Sequence, residues 1–196
     1  MRAQQRAILA ALRGRAFDLK SSVFTQREAI ELVNRLCEDL DVAPSLTRGS
    51  FQGYVAEGLV TPARPRDGRN YLLSTIDILR LTALAILVPR GVRSSVAGQV
   101  ASMIESALRD GGFERWAHPR ADELDARDLI VLRLEADGWT PVTARSEKAL
   151  RLALSAGPAV LVLNAAVVGC FVISAASELW KKKAERLLAR QGGRNA

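Results

Sequence analysis

Arg64, Arg66 and Arg69 follow one another closely and lead to Tyr71. A guanidinium offers a planar fork of donors that matches phosphate oxygens, and a tyrosine hydroxyl adds one more hydrogen bond to the same group. Spaced this way on a loop, they are suited to gripping a polyanion backbone or a narrow minor groove. Shortly upstream, Arg48, Ser50 and Gln52 are interleaved with Gly49 and Gly53. Polar side chains among glycines on a short helix suit close approach to a major groove, where Arg, Gln and Ser read base edges. Tyr54 is placed with the core rather than with the contacts.

Two helices and a hairpin are expected to position these groups. Thr25 followed by Glu28 forms a capping box, and Ala29, Val33, Leu36 and Cys37, with Leu32 beside them, give "TQREAIELVNRLCEDL" one apolar face. Pro44 biases Ala43 away from helical geometry and ends that helix. "SLTRGSFQGYVAEG" reads as a second short helix with Phe51 and Val55 inward and Gly58 in the left-handed position that terminates it. The pair makes a helix-turn-helix, and the basic loop after "GLVTP" reads as two short strands, a wing. Ser74 with Asp77 starts "TIDILRLTALAIL", apolar around its girth and so buried. After "VPRGVRSS" a further helix buries Val96, Val100, Met103, Ile104 and Leu108.

A charged passage rich in Gly and Pro at 111–127 marks a linker. Beyond it the hydrophobic period changes. "DLIVLRLEADGWTPVTA" gives two strands around Ala136-Asp137-Gly138, Ser146 caps a helix, "PAVLVLN" is a buried strand, and "AAVVGCFVIS" is a strand or the start of the last helix. The expected organisation is a helical arm over 1–23, a helix-turn-helix domain over 24–110, the linker 111–127, and an α/β domain over 128–196. The fold class is therefore an α-helical winged helix-turn-helix N-terminal domain plus a small mixed α/β C-terminal domain.

The 196-residue chain is 48% hydrophobic and 25% charged, enough for a core and against disorder throughout. Its formal net charge is +7, which favours a polyanionic partner or an acidic membrane surface. The excess is concentrated in residues 1–100, which hold 14 Lys/Arg against 9 Asp/Glu, and in the final turns. Cys37 and Cys170 lie among apolar neighbours and suit a reducing compartment better than a disulfide. The basic start lacks the apolar core of a secretory signal. From Leu152 to Ser177 no residue is charged and lysines follow, the pattern of a span near 157–177. Pro158, Asn164 and the short Val/Ile/Ala runs argue against it.

Residues 24 to about 100 resemble the winged-helix DNA-binding domain of the MerR family of bacterial regulators. The resemblance rests on the capped helix from Thr25, "EGLVTP", the loop closing on Arg69-x-Tyr71, "STIDILRL", and "PRGVRSSVAGQV". It implies a bacterial sequence-specific transcriptional regulator that binds double-stranded DNA as a homodimer, with a cytoplasmic, nucleoid-associated location. The family usually carries an arginine and paired tyrosines just before the "GL" turn. Phe51, Gln52 and Gly53 stand there instead, so those contacts do not carry over. The helix after Gly91 is also shorter than the family's long dimerisation helix, and its metal-sensing cysteines are absent. A divergent member or a distant phage or plasmid relative fits this pattern.

No catalytic chemistry is expected. His118 stands alone beside proline, no Cys/His cluster has zinc spacing, no Gly-rich phosphate loop follows a strand, and "DELDARD" lacks the turn and closing Glu of a calcium loop. The chain reads as a non-enzyme without metal or cofactor. Dimerisation is assigned to the C-terminal half, through Trp180, Leu187 and Leu188; a small ligand or a protein partner is the other use of that half. The remaining alternatives are a membrane-tethered regulator and a protein-interaction adaptor that has lost DNA binding.

Overall fold

The computed structural model describes residues 24–63, 71–108, 128–143, 146–155 and 159–192. The expected arm 1–23, the linker 111–127 with His118, and Pro158 lie outside them. In chain order the described elements are β1 (Phe24–Thr25), α1 (Gln26–Asp39), α2 (Arg48–Ala56), β2 (Leu72–Leu73), α3 (Thr75–Leu87), a 3-10 turn (Val88–Arg90), α4 (Ser94–Ala107), β3 (Leu129–Glu135), β4 (Gly138–Thr143), α5 (Glu147–Ser155), β5 (Val160–Asn164) and α6 (Ala165–Gly192). The fold is mixed α/β. The chain separates into two compact units, one holding the described residues as far as Ile78 together with those from Val172 onward, the other Leu79–Phe171.

In the first unit α1 starts at the expected capping box. The Thr25 hydroxyl accepts the Glu28 amide at 3.3 Å, and Glu28 Oε2 accepts the Thr25 amide at 2.8 Å. Ala29, Leu32, Val33, Leu36 and Cys37 are buried, the face that the spacing predicts. The helix ends on Asp41, whose φ of 56° is left-handed. Its amide donates to Glu38 and that of Val42 to Cys37, closing the paired carbonyl pattern of a Schellman motif. β1 pairs antiparallel with β2, Phe24 opposite Leu73. Lys183, late in α6, donates to Glu28 Oε2 at 2.6 Å and lies 5.5 Å from the centre of the buried Phe24 ring. This contact joins residues far apart in sequence, and nothing in the hydrophobic pattern signals it.

In the second unit β3 is central between β4 and β5, antiparallel to both. β3 and β4 turn over Ala136-Asp137, and Gly138 takes φ 125°. Ile130, Val131 and Leu132 are all buried, so both faces of β3 are covered. The inner face of α4 is centred on Ala97, Val100, Ala101, Ile104, Glu105 and Leu108, leaving Val96 and Met103 half-buried rather than buried. The rotation is explained by Glu105, which enters the buried face because Arg80 donates to its Oε2 at 3.0 Å and 2.5 Å. A buried carboxylate needs such a partner.

The charge-free run is divided. β5 ends at Asn164, whose side chain accepts the Val167 amide at 3.1 Å and so starts α6. "AAVVGCFVIS" is therefore helical, and α6 continues without a break through the lysines. "PAVLVLN" corrects in another way: β5 lies at the sheet edge, with Leu163 buried but Val162 45% exposed. Among the described residues no helix is long and apolar enough to cross a membrane. Cys37 is buried and Cys170 half-buried, both unbonded to sulfur.

Two measurements probe this frame. Asp41→Gly removes a side chain from left-handed backbone and is expected to stabilise the fold by about 0.5–1 kcal/mol in urea titration; a loss would show that the Asp41 side chain supports the turn. Burial lowers the Lys183 pKa, against the opposing pull of Glu28. The unfolded chain then holds this proton to higher pH than the folded one, so stability rises with pH between the two values. The unfolding free energy of the wild type relative to Lys183→Met is thus expected to grow as pH rises toward the ordinary lysine value of about 10.4. A flat or falling difference would mean that the ammonium is not desolvated.

Candidate nucleic-acid interface

The groups able to face a nucleic acid are carried by α2 and by the chain that follows it. Their placement begins in the connection between α1 and α2. Asn34 on α1 spans it: its Nδ2 donates to the Leu46 carbonyl at 2.9 Å and its Oδ1 accepts the Leu46 amide at 3.0 Å. One side-chain amide thereby satisfies both backbone groups of a buried residue, as a neighbouring strand would. Sequence inspection misses Asn34 because its partner is set by tertiary placement.

Leu46 leads into Thr47, the N-cap of α2. The Thr47 hydroxyl accepts the Ser50 amide at 3.2 Å, and the Ser50 hydroxyl accepts the Thr47 amide at 2.9 Å. Thr47-x-x-Ser50 is legible as a capping pair in the sequence. Ser50 is half-buried and its hydroxyl belongs to this cap, whereas Arg48 and Gln52 are exposed. Phe51 is fully buried on the opposite side and anchors the helix. Tyr54 and Val55 are half-buried, and burial, followed by the Glu57 charge, raises the Tyr54 pKa.

At its far end α2 closes on Gly58, at φ 72°. The Gly58 amide donates to Val55 and the Leu59 amide to Tyr54, at 3.1 Å and 2.9 Å. With both ends capped, the nine-residue helix tolerates two internal glycines. Among the described residues, a methyl group added at Gly53 would meet nothing within 4 Å, and one at Gly49 only the Thr47 hydroxyl at 3.8 Å. Packing among the described residues therefore does not require either glycine, although each disfavours the helix by about 1 kcal/mol relative to Ala.

Val60 is buried, and Ala63 then exchanges two hydrogen bonds with Leu72, each 2.9 Å. This bridge is the base of a hairpin whose return strand is β2, which also pairs with β1. Arg64, Arg66 and Arg69 fall between the bridge residues and lie outside the described residues. Tyr71 is half-buried, its ring 5.8 Å from Phe51 in an edge contact at 62°. The ring thus locks the hairpin base to the inner side of α2. Downstream, Ser74 caps α3: Asp77 Oδ2 accepts its amide at 2.8 Å and its hydroxyl at 2.7 Å, both residues being buried.

Arg48 and Gln52 are one helical turn apart and share the outer surface of α2 with the two glycines. Among the described residues no group of three or more His, Cys, Asp or Glu could hold a metal. Asp128, the last acid of "DELDARD", is buried rather than solvated. Trp180 is half-buried, and the side chains of Leu187 and Leu188 lie outside the description.

No model of a known protein family matches this chain, and no curated protein matches its sequence.

Asn34→Asp retains the acceptor for the Leu46 amide but turns a carboxylate oxygen toward the Leu46 carbonyl. It is expected to lower stability by about 1–3 kcal/mol in urea titration. An unchanged midpoint would remove Asn34 as the brace of the connection.

Proposed function

We propose that this chain is a bacterial sequence-specific DNA-binding transcriptional regulator of the winged-helix type. In this reading α2 enters the major groove, and the hairpin based on Ala63 and Leu72 lays Arg64, Arg66 and Arg69 against phosphates. The chain acts as a dimer in the cytoplasm, on the nucleoid, and performs no catalysis. The observation that carries the reading is the outer surface of α2: exposed Arg48 and Gln52 share it with two glycines that packing among the described residues does not require. A helix that forgoes stability to stay smooth on its outer side is suited to lying close against another surface. A nine-residue helix is about 13 Å long, and a major groove about 12 Å wide admits a helix.

The division of labour follows from the residues. Within α2, Arg48 is the lone cation and Gln52 has the bidentate amide that pairs with adenine. Most of the phosphate attraction must therefore come from the hairpin arginines, and that part of binding is sequence-independent and salt-sensitive. Tyr71 contributes by positioning the hairpin through Phe51, and Ser50 by capping the helix. Two copies on one duplex raise affinity through effective concentration without any new contact.

Genomic fragments captured by the protein would supply the operator for quantitative titration. Replacing Arg64, Arg66 and Arg69 together by Glu is expected to weaken binding to every duplex and to flatten the salt dependence by about 0.9 for each phosphate no longer neutralised. Gly53→Gln is expected to keep or raise the thermal midpoint, since Gln forms helices better than Gly, while lowering operator affinity about tenfold or more. Salt-insensitive duplex binding, or Gly53→Gln binding as well as wild type, would overturn the reading. A protein-interaction adaptor would then take its place.

A further inference from the structure

We infer that the outer edge of β5 is the dimer interface, pairing antiparallel with β5 of a second copy about a two-fold axis at Val162. The inference rests on the proposed dimer but not on DNA binding.

Backbone direction supplies the first argument. The Leu134 amide donates to Ala159 at 3.0 Å, in the same register that pairs Leu132 with Leu161. Antiparallel alternation then turns the backbone groups of Leu161 and Leu163 toward β3, and those of Val160 and Val162 outward. Among the described residues no strand lies beyond β5. The same alternation applied to β4 turns the backbone of Pro141, opposite Leu132, away from β3. Proline has no amide hydrogen, so the β4 edge lacks a donor where a further strand would need one. Among the described residues the sheet thus has one blocked edge and one open edge. β5 carries none of the usual edge protection: no Lys, no Pro and no bulge.

The chemistry of the surface favours a second copy as the occupant. A two-fold axis sets each residue against its own kind, so any charge near the axis would face a like charge. From Leu152 to Ser177 there is none. The exposed large apolar side chains of the described residues are Leu152, Leu154, Val162, Val167 and Phe171, all on β5 or the two helices adjoining it in sequence. A register centred on Val162 opposes Val160 to Asn164 and uses the full length of the strand. Val162 then exchanges both backbone hydrogen bonds with Val162 of the second copy, and the three-stranded sheet is doubled into a continuous one.

The test is a charge swap read by sedimentation equilibrium on the full chain. Val162 is exposed, so Val162→Lys and Val162→Glu are expected to fold as wild type by circular dichroism. Each alone is expected to raise the dimer dissociation constant about 100-fold, because like charges meet across the interface at the axis. An equimolar mixture of the two is expected to recover heterodimers within about tenfold of wild-type affinity, which a loss of folding would not produce. Dimers that persist unchanged in both variants would overturn the β5 interface and leave the dimeric regulator standing. A wild type that is monomeric at concentrations where it binds its operator would overturn both the interface and the dimer. A dimeric wild type without operator binding, still broken and rescued by the swap, would support the interface while removing the DNA-binding reading.

Discussion

One carboxylate oxygen, Oε2 of Glu28, holds together three parts of the first unit. It accepts the amide and hydroxyl of Thr25 and the ammonium of Lys183. The first two bonds start α1, and the third brings the late part of α6 against the beginning of that helix. In this half-buried place the Glu28 carboxylate and the Phe24 ring face the Lys183 ammonium and oppose the cost of its burial. Phe24 is also the residue that β1 sets opposite Leu73. The order of the helix pair, of the hairpin base and of the final helix therefore converges on one small cluster. A carboxylate with this many donors is difficult to replace by an apolar residue, since the cap and the lysine would lose their partner together.

The second constraint is the brevity of α2. Nine residues with two glycines make a poor helix in isolation. It persists because its first turn is closed by Thr47 and Ser50, its last by the left-handed Gly58, and its inner side by Phe51. Asn34 fixes where it begins and Tyr71 where the chain returns. The rigidity comes from the flanks, and among the described residues nothing packs on the outer glycines Gly49 and Gly53 beyond the Thr47 hydroxyl. The second unit follows a different logic: a sheet core of β3 covered on both faces, with the Arg80–Glu105 pair letting a charged residue occupy a buried helix face.

Legibility in the sequence followed the range of the interactions. Local signals read well: the caps at Thr25 and Ser74, the termination at Gly58, the turn over Ala136-Asp137 and the apolar face of α1 depend on residues a few positions apart. Reading failed where a distant partner changed the meaning of a residue. The sequence pattern placed Val96 and Met103 on the inner face of α4, whereas Glu105, paired with Arg80, occupies that face and Val96 and Met103 are half-buried. "PAVLVLN" has the composition of a buried strand, but its place at the sheet edge exposes Val162. The run after Asn164 was ambiguous because small and β-branched residues suit either state, and the Asn164 cap decides for helix. At the candidate interface, Arg48 and Gln52 were legible as exposed polar positions. Asn34 was not, and Ser50 was assigned outward although its hydroxyl closes the cap.

Continuity of α6 carries a consequence for how the chain comes into being. The first unit takes its strands and first two helices from the earlier part of the chain, yet Lys183 follows Glu28 by 155 positions. On a ribosome, Glu28 and Phe24 emerge long before their partner, and the intervening second unit is synthesised between them. Contacts of such sequence separation form late and slowly. The nascent helix pair must wait through the synthesis of the second unit without this closing residue. A fragment cut after the early elements would reproduce that unfinished state permanently, so the natural boundary of the unit is set by space and not by stretches of sequence.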